Sequence, residues 1–183
     1  MLNVFRRNPQ APTIEALYGA IVAQARSPVF YLEYRVPDTV NGRLDMLMLH
    51  LALAFERLSQ GAPAATAIGQ GLFDRFCRDM DDHLREQGVS DLKVPKEMRN
   101  VGAAFFGRHG TYLNALLSGD EAALRAGLAR NVYQDSPKDG GVPVARLAAY
   151  VKAAHAGLSG QEPAALAAAR VAWPDPVLIA AES

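Results

Sequence analysis

The sequence predicts an all-α protein: a single-domain bundle of about seven helices around a central apolar helix at about residues 39–59. Alanine is abundant and β-branched residues are sparse, which favours helix along the whole chain. Apolar residues recur at spacings of three and four, and no long stretch alternates as a half-buried strand does. A chain of 183 residues is long enough to bury one substantial core.

The first predicted helix opens at Pro12 and stops before Pro28, because proline is accepted in a first turn but ends a helix that precedes it. A short aromatic segment and a turn at 36–39 follow. The next helix, 39–59, is apolar on nearly all sides between Leu44 and Phe55. That pattern is typical of a helix surrounded by other helices.

Residues 61–63 separate the central helix from an amphipathic helix that ends at Gly88, a residue type common just beyond helix C-termini. Pro95 opens the following helix, and Asp120 caps a shorter one. Two more helices, 143–157 and 161–172, complete the bundle. We therefore divide the chain into a flexible N-terminal arm (1–10), a helical domain (11–172) and a C-terminal tail (173–183).

Composition narrows the function classes. Basic and acidic residues are equal at 19 each, so the sequence predicts no specific nucleic-acid partner. The longest apolar run, Met46 to Phe55, is about half the roughly 20 residues that a spanning helix needs. We therefore expect a protein that is soluble or lies peripherally on a membrane. Leu2, Val4 and Phe5 beside Arg6 and Arg7 are the candidate membrane contact.

No catalytic template fits the sequence. The single cysteine excludes a disulfide framework and a four-cysteine zinc site, and no histidine follows a carboxylate at the di-iron spacing. Nucleotide-binding glycine loops and the serine-hydrolase elbow are also missing. We therefore predict a non-enzyme with no catalytic residue, metal or cofactor. The alternative is a small-ligand or haem-binding helical protein that uses a pocket near His50 and His83.

Asp79 is the most unusual residue of the amphipathic helix, because it lies on the apolar side between the positions of Ile68 and Leu72. A carboxylate at such an edge must be paired or hydrogen-bonded. A tie to a neighbouring helix and a partner or ligand site are both consistent with this position. Lys93, Lys96, Arg99 and Arg108 form a basic group around the start and middle of the next helix. Lys96 and Arg99 share a face, which suits either a plain solvated surface or an acidic or phosphate-bearing partner.

Many positions, in the right order between Ile14 and Tyr133, resemble the ubiquinol–cytochrome c chaperone family. The matching segments are 17–26, 30–31, 36–39, 42–43, Met46, Leu49, His50, 72–74, 79–81, 84–86, 88–89, 91–92, 105–108 and 129–131. The resemblance implies an assembly chaperone that binds newly made cytochrome b, or another reductase subunit, and supports biogenesis of the respiratory-chain ubiquinol–cytochrome c reductase. It also implies a ribosome or membrane-surface contact, and hence a cytoplasmic protein that lies peripherally on the inner membrane.

The predicted partner-binding residues are matched to the family and do not belong to the pure core. They are Arg43, His50, Asp79, Asp81, Arg85, Glu86, Arg99 and Arg108. We expect a groove rimmed by charge, in which Asp79 pairs with Arg43 or His50 across helices. Arg85, Arg99 and Arg108 are then expected to face the partner. A ribosome- or RNA-associated factor that uses the basic group is a third alternative.

Overall fold

The computed structural model describes residues 9–134 and 141–180, and this part of the chain is all-helical. The helices are α1 (Ala11–Ala25), α2 (Pro28–Leu32), α3 (Val40–Ser59), α4 (Pro63–Glu86), α5 (Val94–Ser118), α6 (Glu121–Val132), α7 (Gly141–Ser159) and α8 (Pro163–Leu166), followed by a short 3-10 helix (Pro176–Leu178). Seven of them correspond to the predicted helices, and α2 is the aromatic segment. The predicted arm, 1–10, lies outside the described residues apart from its last two positions.

Helix α3 is the centre of the bundle, as predicted. Every residue from Asp45 to Ala54 is buried, and α1, α4, α5, α6, α7 and α8 all pack on this helix. Thr39 caps its first turn by accepting a hydrogen bond from the Gly42 N–H at 3.1 Å. Gly42 is required there, because a Cβ atom would lie 2.0 Å from the Pro37 carbonyl oxygen.

The predicted helix ends are confirmed at Gly88 and Asp120. Gly88 adopts a left-handed φ of 80°, and the Val89 N–H donates to the Leu84 carbonyl, as in a Schellman motif. Asp120 accepts from the Ala123 N–H at 2.9 Å and so caps α6. The last predicted helix, 161–172, is wrong in length.

Helix α8 stops at Leu166 because the chain folds back on itself. Ala169 has a left-handed φ of 57°, and the Gln161 side chain clamps the backbone of Ala172 through two hydrogen bonds of 2.8 Å. These contacts override the helix propensity of the alanine-rich segment. Close helix approach depends on Gly71 and not on Gly102. A Cβ there would meet nothing within 4 Å, whereas one at Gly71 would lie 2.3 Å from Ile14.

Polar and aromatic contacts hold the C-terminal part of the described chain against Tyr34 and His50. The Tyr34 hydroxyl donates to the Pro176 carbonyl at 2.7 Å, and the Tyr34 carbonyl accepts from the Tyr133 hydroxyl at 2.8 Å. Trp173 packs edge-on against His50, with ring centroids 5.1 Å apart. The described part of the predicted tail, 173–180, is therefore packed on the helical body.

Candidate binding groove

A groove with a volume of about 430 Å³ opens between α1, α3 and the C-terminal half of α4. We call it the α1–α3–α4 groove. Contacts pair Ile14 with Gly71 and Tyr18 with Asp79, so α1 and α4 run side by side in the same direction. Helix α1 ends at Ala25, and α4 continues beside the first turns of α3 to form the far wall.

The groove has an apolar floor and a charged rim. The floor and its edges are formed by Val22, Ala25, Val40, Leu44, Leu47 and Met80. The rim is formed by Arg26, Arg43, Asp79, Asp82, His83 and Glu86. Val40 is 62% exposed, so apolar surface reaches solvent at the edge of the groove. A concavity of this kind suits an apolar side-chain segment with polar or charged flanks.

Asp79 does bind across helices, but the predicted partners, Arg43 and His50, are wrong. The Tyr18 hydroxyl on α1 donates to the Asp79 carboxylate at 2.8 Å, and Arg75 lies 3.4 Å from its other oxygen. Burial, and then the hydrogen bond to Asp79, raise the pKa of Tyr18, which keeps the hydroxyl protonated as the donor. The Asp79 side chain is 42% exposed at the rim.

Arg43 lies on the opposite wall and is paired locally. Its guanidinium donates to Asp38 at 2.6 Å, and this hydrogen bond lowers the pKa of the Asp38 carboxyl. Both side chains are more than half exposed. Arg43 therefore contributes to the rim as an exposed, largely neutralised ion pair.

His50 lies in the core and not on a binding surface. Its Nδ1–H donates to the Met46 carbonyl and its Nε2 accepts from the Tyr150 hydroxyl, each at 2.8 Å. The Gln24 amide donates to the same hydroxyl at 3.0 Å, so this network links α1, α3 and α7. Burial lowers the pKa of His50 to about 4. Both ring nitrogens are hydrogen-bonded within the core, so neither is free to coordinate a haem iron.

His83 and His50 do not share a pocket. His83 is exposed on the groove rim, where its Nε2 is hydrogen-bonded to the Gln87 amide at 2.9 Å. His50 does not line the groove. The alternative of a ligand pocket built from both histidines therefore has no support in the geometry.

Arg108 is another correction, because it is turned inward. Its guanidinium donates to the buried Asp45 at 2.7 Å, with side-chain exposures of 19% and 6%. The pair joins α5 to α3 beneath a second concavity of about 300 Å³, which shares Leu44 with the α1–α3–α4 groove. Arg108 is thus a tie within the fold. Lys93, Lys96 and Arg99, the rest of the basic group, are exposed.

Asp81 and Arg85 form an ion pair with each other at 2.6 Å, four residues apart on α4. Arg85 also binds Asp91 in the following loop, so it fastens that loop to the end of the helix. The hydrogen bond that Arg85 donates to Asp81 raises the pKa of Arg85. Neither Asp81 nor Arg85 lines the groove, and Arg99 does not line it either.

The groove thus unites Arg43, Asp79 and Glu86 of the predicted residues, and leaves out His50, Asp81, Arg85, Arg99 and Arg108. Sequence reasoning missed the apolar floor, because Leu44 and Leu47 continue the pattern of a fully buried helix. It also passed over Asp82 as part of a solvated charged face. The spacing of Asp82 and Glu86, two like charges four residues apart, was the available signal.

The described chain contains no group of three or more metal-ligating side chains placed to hold an ion. None of its helices is long and apolar enough to cross a membrane.

Comparisons with known proteins agree with one another. The family model described as Ubiquinol-cytochrome C chaperone matches residues 32–173. The solved structure described as the Cbp3 homolog from Brucella abortus superposes with a TM-score of 0.84 at 37% sequence identity, covering 93% of each chain. Among curated proteins no match is found. Both the sequence match over most of the chain and the shared helical fold show that this protein belongs to the ubiquinol–cytochrome c chaperone family.

Proposed function

We propose that this protein is an assembly chaperone that binds newly made cytochrome b and so supports biogenesis of ubiquinol–cytochrome c reductase. The α1–α3–α4 groove is the observation that carries the proposal. Its apolar lining, which is exposed at Val40 and partly exposed at Leu44 and Met80, offers cover for the apolar side chains of a membrane subunit before insertion. The exposed ion pairs at its rim contribute little binding energy, which suits a complex that must release its client.

In this proposal the protein works by binding alone, without making or breaking bonds in its client. It acts in the cytoplasm, at the surface of the inner membrane, where a membrane subunit is handed over. The residues proposed to contact the client are the groove-lining members of the predicted set, Arg43, Asp79 and Glu86, together with Leu44 on the floor. Asp81, Arg85 and Arg99 remain candidates for a second contact, such as a ribosome or a further subunit.

Site-directed photocrosslinking in cells that synthesise cytochrome b tests the client. A photoreactive phenylalanine derivative replaces His83, which is exposed at the groove rim. The matched control replaces Ala126, which is exposed on α6 and does not line the groove. We expect an adduct with cytochrome b from position 83 and none from position 126. Equal adducts from both positions, or none from position 83, would refute the proposal.

The membrane contact has its own test. Residues 1–10 supply Leu2, Val4 and Phe5 beside two arginines, a composition that favours an anionic bilayer surface. Flotation with anionic liposomes should recover the intact chain but not a variant lacking residues 1–10. If both float equally, the proposed contact lies elsewhere on the molecule.

A further inference from the structure

Two carboxylates on the α4 wall of the groove have no partner in the described chain. Asp82 and Glu86 are both exposed, and neither forms a hydrogen bond or an ion pair with any residue in 9–134 or 141–180. The other three aspartates of α4 are engaged: Asp74 accepts from Gln70, Asp79 from Tyr18, and Asp81 from Arg85.

The positions of Asp82 and Glu86 are unfavourable for each other, and Arg78, one turn before Asp82, forms no ion pair with Asp82 among the described residues. Asp82 and Glu86 are four residues apart, so their like charges repel across one turn. They also lie in the last turns of α4, where the partial negative charge of the helix C-terminus disfavours carboxylates. Conflicts of this kind between local sequence and fold are expected at functional sites. A cation from outside the described chain would relieve both effects.

The rest of the rim leaves this negative charge uncompensated. Arg43 is paired with Asp38, and Asp79 is bound by Tyr18 and Arg75. Arg26 is the one rim cation that has no ion pair among the described residues. The rim therefore has two unpaired carboxylates on α4 and one unpaired cation, Arg26, at the C-cap of α1.

We propose that the groove selects a segment in which two or three apolar side chains are followed by a lysine or arginine, with Asp82 and Glu86 binding that cation. This inference rests on the proposed function and specifies the chemistry of its client. A volume of about 430 Å³ accommodates two or three such side chains, since a cavity of about 150 Å³ holds a benzene ring. Membrane helices whose C-terminal end lies on the cytoplasmic side have this order of residues, because cytoplasmic loops are rich in lysine and arginine.

Fluorescence anisotropy with two labelled peptides tests the inference on the purified full chain. Both peptides contain the same short run of leucine and alanine, which ends in lysines in one and in glutamines in the other. We expect the lysine peptide to bind about three- to tenfold more tightly, as two exposed charge pairs allow. Salt should reduce this preference.

The double variant Asp82→Asn, Glu86→Gln should bind both peptides equally, with the affinity that the unaltered protein has for the glutamine peptide. Asp74→Asn is the matched control, because it neutralises a carboxylate of the same helix outside the groove. It should retain the full preference. The double variant should melt at the same or a higher temperature, since a repulsive pair is removed.

The inference fails if the unaltered protein has no preference for lysine, if it binds neither peptide at millimolar concentration, or if the double variant keeps the preference. Crosslinking from position 83 separates this failure from that of the proposed function. If position 83 forms an adduct with cytochrome b but the protein shows no lysine preference, only the proposed cation site is refuted. If the protein prefers the lysine peptide but forms no adduct with cytochrome b, the proposed client is refuted and the cation site is supported.

Discussion

Asp45 and Arg108 form a buried ion pair that joins α3 to α5 at 2.7 Å. The carboxylate belongs to the central helix, where the Asp45 side chain is only 6% exposed. Arg108 is thereby assigned to the fold, although its charge and its match to the family pointed to a partner. The pair also forms part of the wall of the second concavity beside Leu44.

Arg108→Ala should therefore lower the free energy of unfolding by about 3 kcal/mol, because it leaves a buried carboxylate without its cation. Urea unfolding followed by circular dichroism measures the change. Arg99→Ala, on the exposed side of the same helix, is the control and should change stability by less than about 0.5 kcal/mol. Equal stabilities of the two variants would show that Arg108 does not stabilise the fold and is available to a partner.

Tyr18 and Asp79 should show a measurable coupling energy. Tyr18→Phe removes one hydroxyl and should lower the free energy of unfolding by about 1 kcal/mol. This value is small for a hydrogen bond to a charged group, because Asp79 is partly exposed. A double-mutant cycle with Asp79→Asn isolates the pair. Additive effects would show that the contact contributes no stability. For the same reason we expect Asp79→Ala to cost about 1 kcal/mol, less than a pairing with His50 would imply.

Stability should fall as the pH drops below 6.5, in part through His50. Its pKa is about 4 in the folded protein, whereas an unfolded histidine takes up its proton near pH 6.5. Between these values the unfolded chain binds more protons, so the free energy of unfolding declines by about 1.4 kcal/mol per pH unit from this one group. Ring-nitrogen NMR should show His50 neutral at pH 5.5. A titration centred near 6.5 would contradict the buried network.

The same glycine-to-alanine change should have opposite effects at two positions. Gly42→Ala should destabilise the protein by about 2 kcal/mol, because the new methyl group would collide with the Pro37 carbonyl. Gly107 lies inside α5 with nothing within 4 Å of an added Cβ. Gly107→Ala should therefore stabilise by about 0.5–1 kcal/mol. Thermal unfolding of both variants checks the signs, and a shared direction would contradict the backbone geometry.

The fold could be predicted largely because its signals are local. An all-round apolar pattern identified α3, and single residues marked helix ends, Gly88 through its left-handed backbone and Asp120 through its side-chain cap. The length of α8 could not be predicted, because the Gln161 side chain ends that segment through contacts with Ala172. Helix propensity carries no information about such a clamp.

The site was less predictable, because it depends on which helices meet. The angular position of Asp79 showed that it needed a partner, but not that α1 would supply Tyr18 from 61 positions earlier in the sequence. Asp45 escaped notice because a single carboxylate at the start of an apolar run resembles an exposed first turn. Leu44 looks like a core residue in sequence, and it stays partly exposed in the groove because α1 ends at Ala25.

The two hydrogen bonds of Tyr34 determine when the fold can be completed during synthesis. They join a residue from the first fifth of the sequence to Tyr133 and Pro176. During synthesis the bond from Tyr34 to Pro176 cannot form until the chain beyond position 176 has left the ribosome, whereas the bond from Tyr133 can form earlier. The Tyr34 hydroxyl therefore gains its partner only at the end of synthesis, and we expect truncation before Pro176 to leave this buried hydroxyl without an acceptor and to increase aggregation.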